Sequence, residues 1–244
     1  MSSITSPALA AFRHEYFGAI DQYLAWHDGF RADEACLRAL SPTECPQAAA
    51  ELVAALRAGR ADARAIIGLG YLRWEDALPL LHALLQQGFY SLYVLEAIAA
   101  IDPAGLYQPL LLALLRQPLL RKAKPASYSP NWTQLIDLLV GVRVAFTLAQ
   151  VGMAVAAAIW QLLAYPDYLV RYHALDTLRC LFGMRTPTQS GNADQRDNLS
   201  HDALFDLIRQ DNQPRAYRQA QEQFLAQLPA TTQAALRYCA AGGS

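Results

Sequence analysis

The stretch that decides the fold runs from Asp62 to Leu85 and reads DARAIIGLGYLRWEDALPLLHALL. It contains two segments of about eleven residues, 62–72 and 76–86, each with apolar residues on one side at helical spacing. Asp62 and Asp76 open these segments, and aspartate is well suited to cap a helix N-terminus. Because only three residues join the segments, the stretch predicts two helices that fold back on one another.

The same pattern recurs further along the chain. ALPLLHALL at 77–85 aligns with YQPLLLALL at 107–115, an offset of thirty residues that places a proline and a double leucine at equivalent positions. A third copy is predicted over residues 138–164, and a fourth begins at Asp167. Repeats of this length, each made of two helices, are typical of an α-solenoid.

These repeats predict an all-α fold with a single domain over residues 1–244, a right-handed α-solenoid of antiparallel helix pairs. One such pair cannot bury its apolar face alone, so neighbouring pairs must cover each other. The predicted parts are an atypical N-terminal helical cap (1–60), the repeats (61–183) with an inserted loop (117–131), an exposed loop (184–199) and a helical C-terminal cap (200–244).

The repeat resembles the short HEAT-like repeat of bacterial scaffold proteins and phycobilisome-lyase-type proteins. Features shared with that family are Asp62, Arg64, the small residues Ala65 and Gly68, Gly70 before the turn, and the run Ala77–Leu78–Pro79–Leu80–Leu81; Asp167, Val170, Arg171, Ala174 and Leu178 repeat the first half. The resemblance covers residues 62–183, half of the chain. It implies a HEAT-like fold and says little about function.

Composition excludes several classes of protein. Of the 244 residues, 54% are apolar and 17% are charged, which excludes global disorder. The net charge of −1 argues against a general nucleic-acid-binding surface, although a local basic patch stays possible. The first twelve residues lack the pattern of a secretory signal, so we expect a cytoplasmic protein.

Residues 144–166 carry no charge and are numerous enough to span a bilayer. The segment is rich in alanine, however, and Gln150 would be costly inside a membrane. We therefore favour two short buried helices that meet near Val151–Gly152 over a membrane span, and we expect no membrane partner.

No motif for catalysis, a metal or a cofactor stands out. The four cysteines are irregularly spaced and predict free thiols, and the five histidines form neither a metal-binding pattern nor the repeated His-Glu pairs of HEAT-like di-iron hydroxylases. There is no GxSxG elbow, phosphate-binding loop or dinucleotide fingerprint. We expect a protein that is not an enzyme and takes no cofactor or metal.

Candidate partner-binding residues come from the turns and the first loop. They are Trp74, Glu75, Tyr107, Arg121, Lys122, Tyr128 and Trp132. Aromatic and arginine side chains are enriched in binding hot spots, although any one of these aromatics can instead serve packing. The basic residues with Tyr128 and Trp132 also allow nucleic-acid binding, which we expect to be the weaker alternative.

A solenoid usually holds another macromolecule, so the first hypothesis is a protein-binding module without catalysis. A small HEAT-like protein of this kind is similar to immunity proteins, and this resemblance implies a cognate secreted toxin that is bound and occluded. The alternatives are a scaffold or assembly adaptor, or a HEAT-like DNA-binding protein or DNA glycosylase.

Overall fold

The computed structural model describes residues 6–21, 23–25, 29–102, 105, 107–120, 130–186 and 202–242, with the backbone alone at 118–120 and 130–133. The regular elements in these ranges are helices, and none of the described residues forms a β-strand. This confirms the all-α prediction. The chain divides into two compact units, Met1–Pro103 and Ala104–Ser244. The expectation of one continuous domain stays a prediction.

The first unit is built around two central helices. Its elements are α1 (Pro7–Phe17), α2 (Ala35–Arg38), α3 (Cys45–Arg57), α4 (Ala63–Leu72), a 3₁₀ turn (Glu75–Ala77), α5 (Leu78–Gln87) and α6 (Ser91–Ile101). Helix α4 packs against α3 and α6, and α6 also packs against α5. Leu52, Ile66, Leu81 and Leu95 are fully buried between these helices, and burying each such side chain contributes about 1.5–3 kcal/mol.

The structure confirms one of the two predicted aspartate N-caps. Asp62 caps α4, since its carboxylate accepts a hydrogen bond of 2.9 Å from the backbone N–H of Arg64. Asp76 does not cap a helix, because it lies inside the 3₁₀ turn and α5 begins only at Leu78. Pro79 then occupies the first turn of α5, where its missing N–H costs nothing.

Three helices of the first unit end in the same hydrogen-bonded turn. The chain adopts a left-handed conformation at Gly59, Arg73 and Gly88. At each site, the left-handed residue and the residue after it donate their N–H groups to carbonyls of the last helical turn. This pattern is the Schellman motif. Glycine is its usual residue because a Cβ atom is strained there, yet α4 uses Arg73 at φ 49°.

Gly70 lets two central helices approach closely. A Cβ atom built on Gly70 would lie only 2.9 Å from the Cα atom of Ala97 on α6. Backbone cannot move aside as a flexible side chain can, so this position excludes any larger residue. The close contact between α4 and α6 therefore depends on the small residues that the repeat pattern contains.

In the second unit, helices pack against the helix after next in the sequence. Its elements are α7 (Gln108–Leu120), α8 (Pro130–Ala145), α9 (Leu148–Gln161), a 3₁₀ turn (Leu162–Ala164), α10 (Tyr168–Leu181), α11 (Ala203–Ile208), α12 (Pro214–Ala226) and α13 (Ala230–Ala240). Helix α7 packs on α9, α8 packs on α10, and α9 also contacts α10. Helix α13 returns to cover α9, and α11 packs on α12.

The uncharged segment 144–166 is two helices and not one span. Helix α8 ends at Ala145 and α9 begins at Leu148, with Thr147 as the N-cap residue whose hydroxyl and backbone N–H both donate to the side-chain oxygen of Gln150. Gly152, with a left-handed φ of 78°, interrupts α9, so two helical segments also meet at the expected position. The junction at Thr147 is an additional one. None of the helices formed by the described residues is both long and apolar enough to cross a membrane.

Arg171 is the largest fully buried side chain of the described residues. Its guanidinium donates to the carbonyls of Tyr165, Pro166 and Ile208 at 2.6–2.7 Å and to that of Gln210 at 3.2 Å. The ring of Tyr217 lies 4.1 Å from its Cζ atom. One side chain of α10 thus joins the 3₁₀ turn, the end of α11 and α12.

Replacing Arg171 with lysine should destabilise the protein. A lysine keeps the charge but has at most three donors on a single nitrogen, so carbonyls now bonded by the planar guanidinium would lose their partners. We expect the free energy of unfolding to fall by about 2–4 kcal/mol, measured by urea denaturation. Arg209→Lys is the matched control on an exposed arginine and should change it by less than about 0.5 kcal/mol; equal effects would contradict the role given to Arg171.

Replacing Arg73 with glycine should instead stabilise the protein. The substitution relieves the left-handed strain at the end of α4 while keeping the Schellman hydrogen bonds. Thermal or urea unfolding should show a gain of about 0.5–1 kcal/mol, because the relief exceeds the added entropy of glycine in the unfolded chain. Arg57→Gly, inside the last turn of α3, is the control and should destabilise; a loss of stability in Arg73→Gly would refute this explanation.

Candidate functional site

The turn between α4 and α5 presents the first pair of predicted site residues. Arg73 reverses the chain in its left-handed conformation, and the N–H of Trp74 donates to the carbonyl of Leu69 at 3.2 Å, which fixes the backbone of the turn. The indole of Trp74 is half-buried, and Glu75 after it is exposed. The turn therefore offers one aromatic surface and one carboxylate to solvent from a backbone held by hydrogen bonds.

Tyr107 does not belong to this surface. We expected it to contact a partner, but the residue is 1% exposed and its ring packs against Phe146 at 4.8 Å between centroids. Its hydroxyl donates to the carbonyl of Gln150 at 3.4 Å, and the side-chain amide of Gln108 donates to the same oxygen. Because the kink at Gly152 interrupts α9, these two donors satisfy a carbonyl close to the kink. Tyr107 therefore has a packing and hydrogen-bonding role.

The side chains of the remaining predicted residues fall outside what the structure describes. Arg121, Lys122 and Tyr128 lie outside the described residues. Trp132 falls within α8, where the backbone alone is described. Their assignment to a partner-binding loop stays a prediction, and so does the alternative of a basic nucleic-acid contact.

A charged cluster on α10 was not predicted from the sequence. The Asp176 carboxylate accepts hydrogen bonds from two guanidinium groups, that of Arg143 on α8 and that of Arg185 just beyond α10. Arg143 and Asp176 are about 95% buried, whereas Arg185 is partly exposed. Within the described residues, the Nε atom of Arg143 is buried and has no acceptor. The cluster links α8 to α10 and to the chain that follows it.

A histidine and a cysteine lie beside this cluster. Burial, and to a lesser degree the charge of Arg143, lowers the pKa of His173 to about 4. Burial and the Asp176 carboxylate raise the pKa of Cys180 to about 11 against the opposite effect of the two arginines. At neutral pH the imidazole is therefore neutral and the thiol is protonated, and a protonated thiol is a poor nucleophile.

The spacing of these two residues also argues against a catalytic pair. His173 and Cys180 are seven residues apart on one helix, which places them two turns and about 10 Å from each other. A nucleophile and its base need to be within about 3 Å. In the ranges that the structure describes, no three His, Cys, Asp or Glu side chains form a group able to hold a metal ion.

A signal for part of the cluster was present in the sequence. Asp176 is a charged residue in the middle of an apolar helical stretch, and Arg143 occupies the position in its repeat that Arg171 occupies in the next. Buried charges are seldom found without partners. This reasoning can identify two charged residues that need partners, but the choice of Asp176 for Arg143 depends on packing between α8 and α10.

Comparison with known proteins adds no relative to this picture. No family model, curated protein or solved structure matches the chain.

His173 should make stability depend on pH. Its pKa in the folded state, about 4, is below the ordinary value of 6.5, so the unfolded chain binds more protons between these values. The contribution of His173 to stability should fall as the pH drops below 6.5, by about 2 kcal/mol at pH 5. Asp137 opposes this trend, because burial raises its pKa to about 6 and protonation then favours the folded state.

The variant His173→Gln separates the two effects. It keeps Asp137 and removes the imidazole, so the change in stability from pH 7.5 to pH 5 should be more favourable in the variant than in the parent, by about 2 kcal/mol. Urea denaturation at both pH values measures the difference. His14→Gln, at an exposed site, is the control; identical pH slopes in the parent and His173→Gln would show that His173 is not buried as a neutral group.

Proposed function

We propose that this chain is a protein-binding module without catalytic activity, built as a right-handed α-solenoid of HEAT-like helix pairs. The observation that carries the proposal is the packing of helices two places apart, α4 on α6 in the first unit and α7 on α9 and α8 on α10 in the second. Stacked helix pairs show this order of contacts, since equivalent helices of successive pairs lie side by side. Their extended surfaces commonly bind other macromolecules.

Hydrogen bonds from the buried arginines support the proposal of a rigid helical scaffold. Arg64 pairs with Asp62 and donates to the carbonyls of Glu15 and Gly18, which connects α4 to the end of α1. Arg171 makes the corresponding connections in the second unit. These guanidinium groups serve backbone carbonyls, so they stabilise the arrangement of helices. A surface held in this way loses little conformational entropy when a partner binds.

The turn with Trp74 and Glu75 is the proposed contact region within the described residues. A half-exposed indole on a fixed backbone supplies apolar area at low entropic cost, and the exposed carboxylate next to it supplies charge. The loop residues Arg121, Lys122, Tyr128 and Trp132 of the second unit stay separate predicted contact residues. Tyr107 is not part of the contact region.

The partner in this proposal is a cognate toxin. A toxin domain bound across the helical surface would lose access to its substrate, so neutralisation requires only shape and charge complementarity. This part of the proposal derives from the resemblance of the repeat to HEAT-like proteins. A scaffold for another protein would use the same surface, and the identity of the bound partner distinguishes the two roles.

Affinity capture from the native host tests the binding module. We expect the tagged chain to retain one stoichiometric protein partner, and Trp74→Ala to weaken that complex by about tenfold or more. Tyr238→Ala is the matched control, because Tyr238 is a 62% exposed aromatic residue in the second unit. Circular dichroism should show unchanged helicity in both variants, since a change would identify Trp74 as a packing residue.

Two outcomes would contradict the proposal. Capture of nucleic acid alone would favour the DNA-binding alternative, and equal weakening by both variants would remove the α4–α5 turn from the contact region. The immunity role has its own test: the purified partner should arrest growth when it is expressed alone and should not do so when this chain is expressed with it. A harmless partner would leave a scaffold as the function.

A further inference from the structure

Helix α1 is held in the first unit by a small apolar contact. Leu9, Phe12 and Tyr16 are its buried residues, whereas seven of the ten residues of α4 are buried. Residues 18–34 connect α1 to α2, so α1 can leave its place without pulling directly on α3 or α4. The packing of α4 between α3 and α6 does not involve α1. Loss of the α1 contact therefore leaves the main helix contacts of the first unit in place.

Polar bonds of α1 lie where water can replace them. Arg13 pairs with Glu51 on α3 at 2.6 Å, and the two side chains are 37% and 28% exposed. An ion pair with this much exposure adds little stability, because water competes for both charges. Arg64 also donates to two carbonyls at the end of α1, but its bond to Asp62 does not depend on that helix. The charged groups around α1 thus keep water or another partner when α1 leaves.

Packing of α1 buries a hydroxyl that gains no hydrogen bond. Tyr16 is 1% exposed, and its hydroxyl has no hydrogen-bond partner among the described residues. The same hydroxyl would be hydrogen-bonded to water if α1 were detached. Burying a polar group without a partner is unfavourable, so this one atom opposes the packing that the rest of the Tyr16 ring favours.

The position of the Tyr16 ring keeps its hydroxyl away from water. The ring lies over Gly68 on α4, where an added Cβ atom would be 2.7 Å from the ring carbon Cε1 and 2.9 Å from the Cδ1 atom of Leu52 on α3. Phe12 contacts the same ring at 5.3 Å between centroids. A flip of the ring does not move the hydroxyl, because that group lies on the flip axis. The hydroxyl therefore reaches water only when α1 leaves.

We propose that α1 is a strap that opens as one unit while α3, α4, α5 and α6 stay folded, and that the buried hydroxyl of Tyr16 sets the population of the open form. This inference goes beyond the proposed function and does not depend on it. Opening uncovers Leu52 and Gly68, so the first unit presents this apolar surface of α3 and α4 only in the open form. A molecule that binds there loses affinity in proportion to the fraction of chains that are closed.

Amide hydrogen exchange of the full chain, resolved by NMR, tests the strap. The conditions are those in which exchange follows the equilibrium population of open forms. The amides of residues 12–17 should then share one protection factor, at least about tenfold below that of residues 66–69 on α4. Tyr16→Phe removes the hydroxyl that has no partner, so the shared protection factor of α1 should rise by about tenfold.

Two further variants serve as controls. Arg73→Gly acts at the end of α4, which stays folded in the open form, so it should raise the protection of α4 by about two- to fivefold and leave that of α1 unchanged. Tyr217→Phe is the matched change in the second unit, where the Tyr217 hydroxyl donates to the carbonyl of Gln210 at 2.6 Å. This variant loses a hydrogen bond, so it should lower the protection of α12 and leave that of α1 unchanged.

Three results would overturn the strap. Protection that changes steadily from residue 12 to residue 17 would show fraying of a helix end and not opening as a unit. An equal change of α1 and α4 in Arg73→Gly would show that α1 opens only when the whole unit unfolds. Unchanged or lower protection of α1 in Tyr16→Phe would show that the hydroxyl does not oppose the packing of this helix.

Discussion

The arrangement of the second unit depends on one buried cation, the guanidinium of Arg171. A charge without water is costly, and here the cost is offset by four backbone carbonyls, the ring of Tyr217 and an exposed carboxylate, Asp211, at 3.8 Å. Burial lowers the pKa of Arg171 from its ordinary value, but an arginine stays charged across the whole physiological range. The carbonyls that it bonds lie at or just beyond helix ends, where the following helical N–H groups are missing.

The first unit uses the same solution with different partners. Arg64 lies on α4 as Arg171 lies on α10, and it donates to the carbonyls of Glu15 and Gly18 at the end of α1. In both units an arginine on a central helix fixes a segment that is distant in the sequence. The apolar core alone is non-directional, since it rewards burial and not a particular orientation. The guanidinium groups add the directional bonds that specify where each flanking helix ends.

The sequence could predict what depends on neighbouring residues. Helical periodicity located α4, α5 and α10, and the capping roles of Asp62 and Asp167 follow from their position before an apolar-periodic segment. The predicted N-cap at Asp76 was wrong because a 3₁₀ turn comes first and α5 begins two residues later. Such helix boundaries depend on how the turn packs. The helix break at Gly152 lies at the expected position, whereas the additional junction at Thr147 was not predicted, although Thr147 and Gln150 form a capping box there.

Features that depend on long-range contacts could not be predicted from the sequence. Tyr107 looks like a surface aromatic in the sequence, but Phe146 and the carbonyl of Gln150 bury it. Among the described residues the buried Tyr16 hydroxyl has no hydrogen-bond partner, which can be recognised only once the packing of its ring against Gly68 on α4 is known. Of the predicted contact residues, the structure leaves Trp74 and Glu75 at a turn open to solvent, because a half-exposed turn residue needs no long-range partner.

The three charged residues of the Asp176 cluster differ in how well the fold tolerates their loss, because both arginines share one carboxylate. Loss of either Arg143 or Arg185 leaves the acid with one remaining guanidinium, so the charges still balance as a pair. Loss of the acid leaves two like charges facing each other at the edge of the core, which converts two attractions into one repulsion. During divergence of such a chain, the partly exposed Arg185 can be replaced alone, whereas the aspartate can change only after the buried Arg143 has gone.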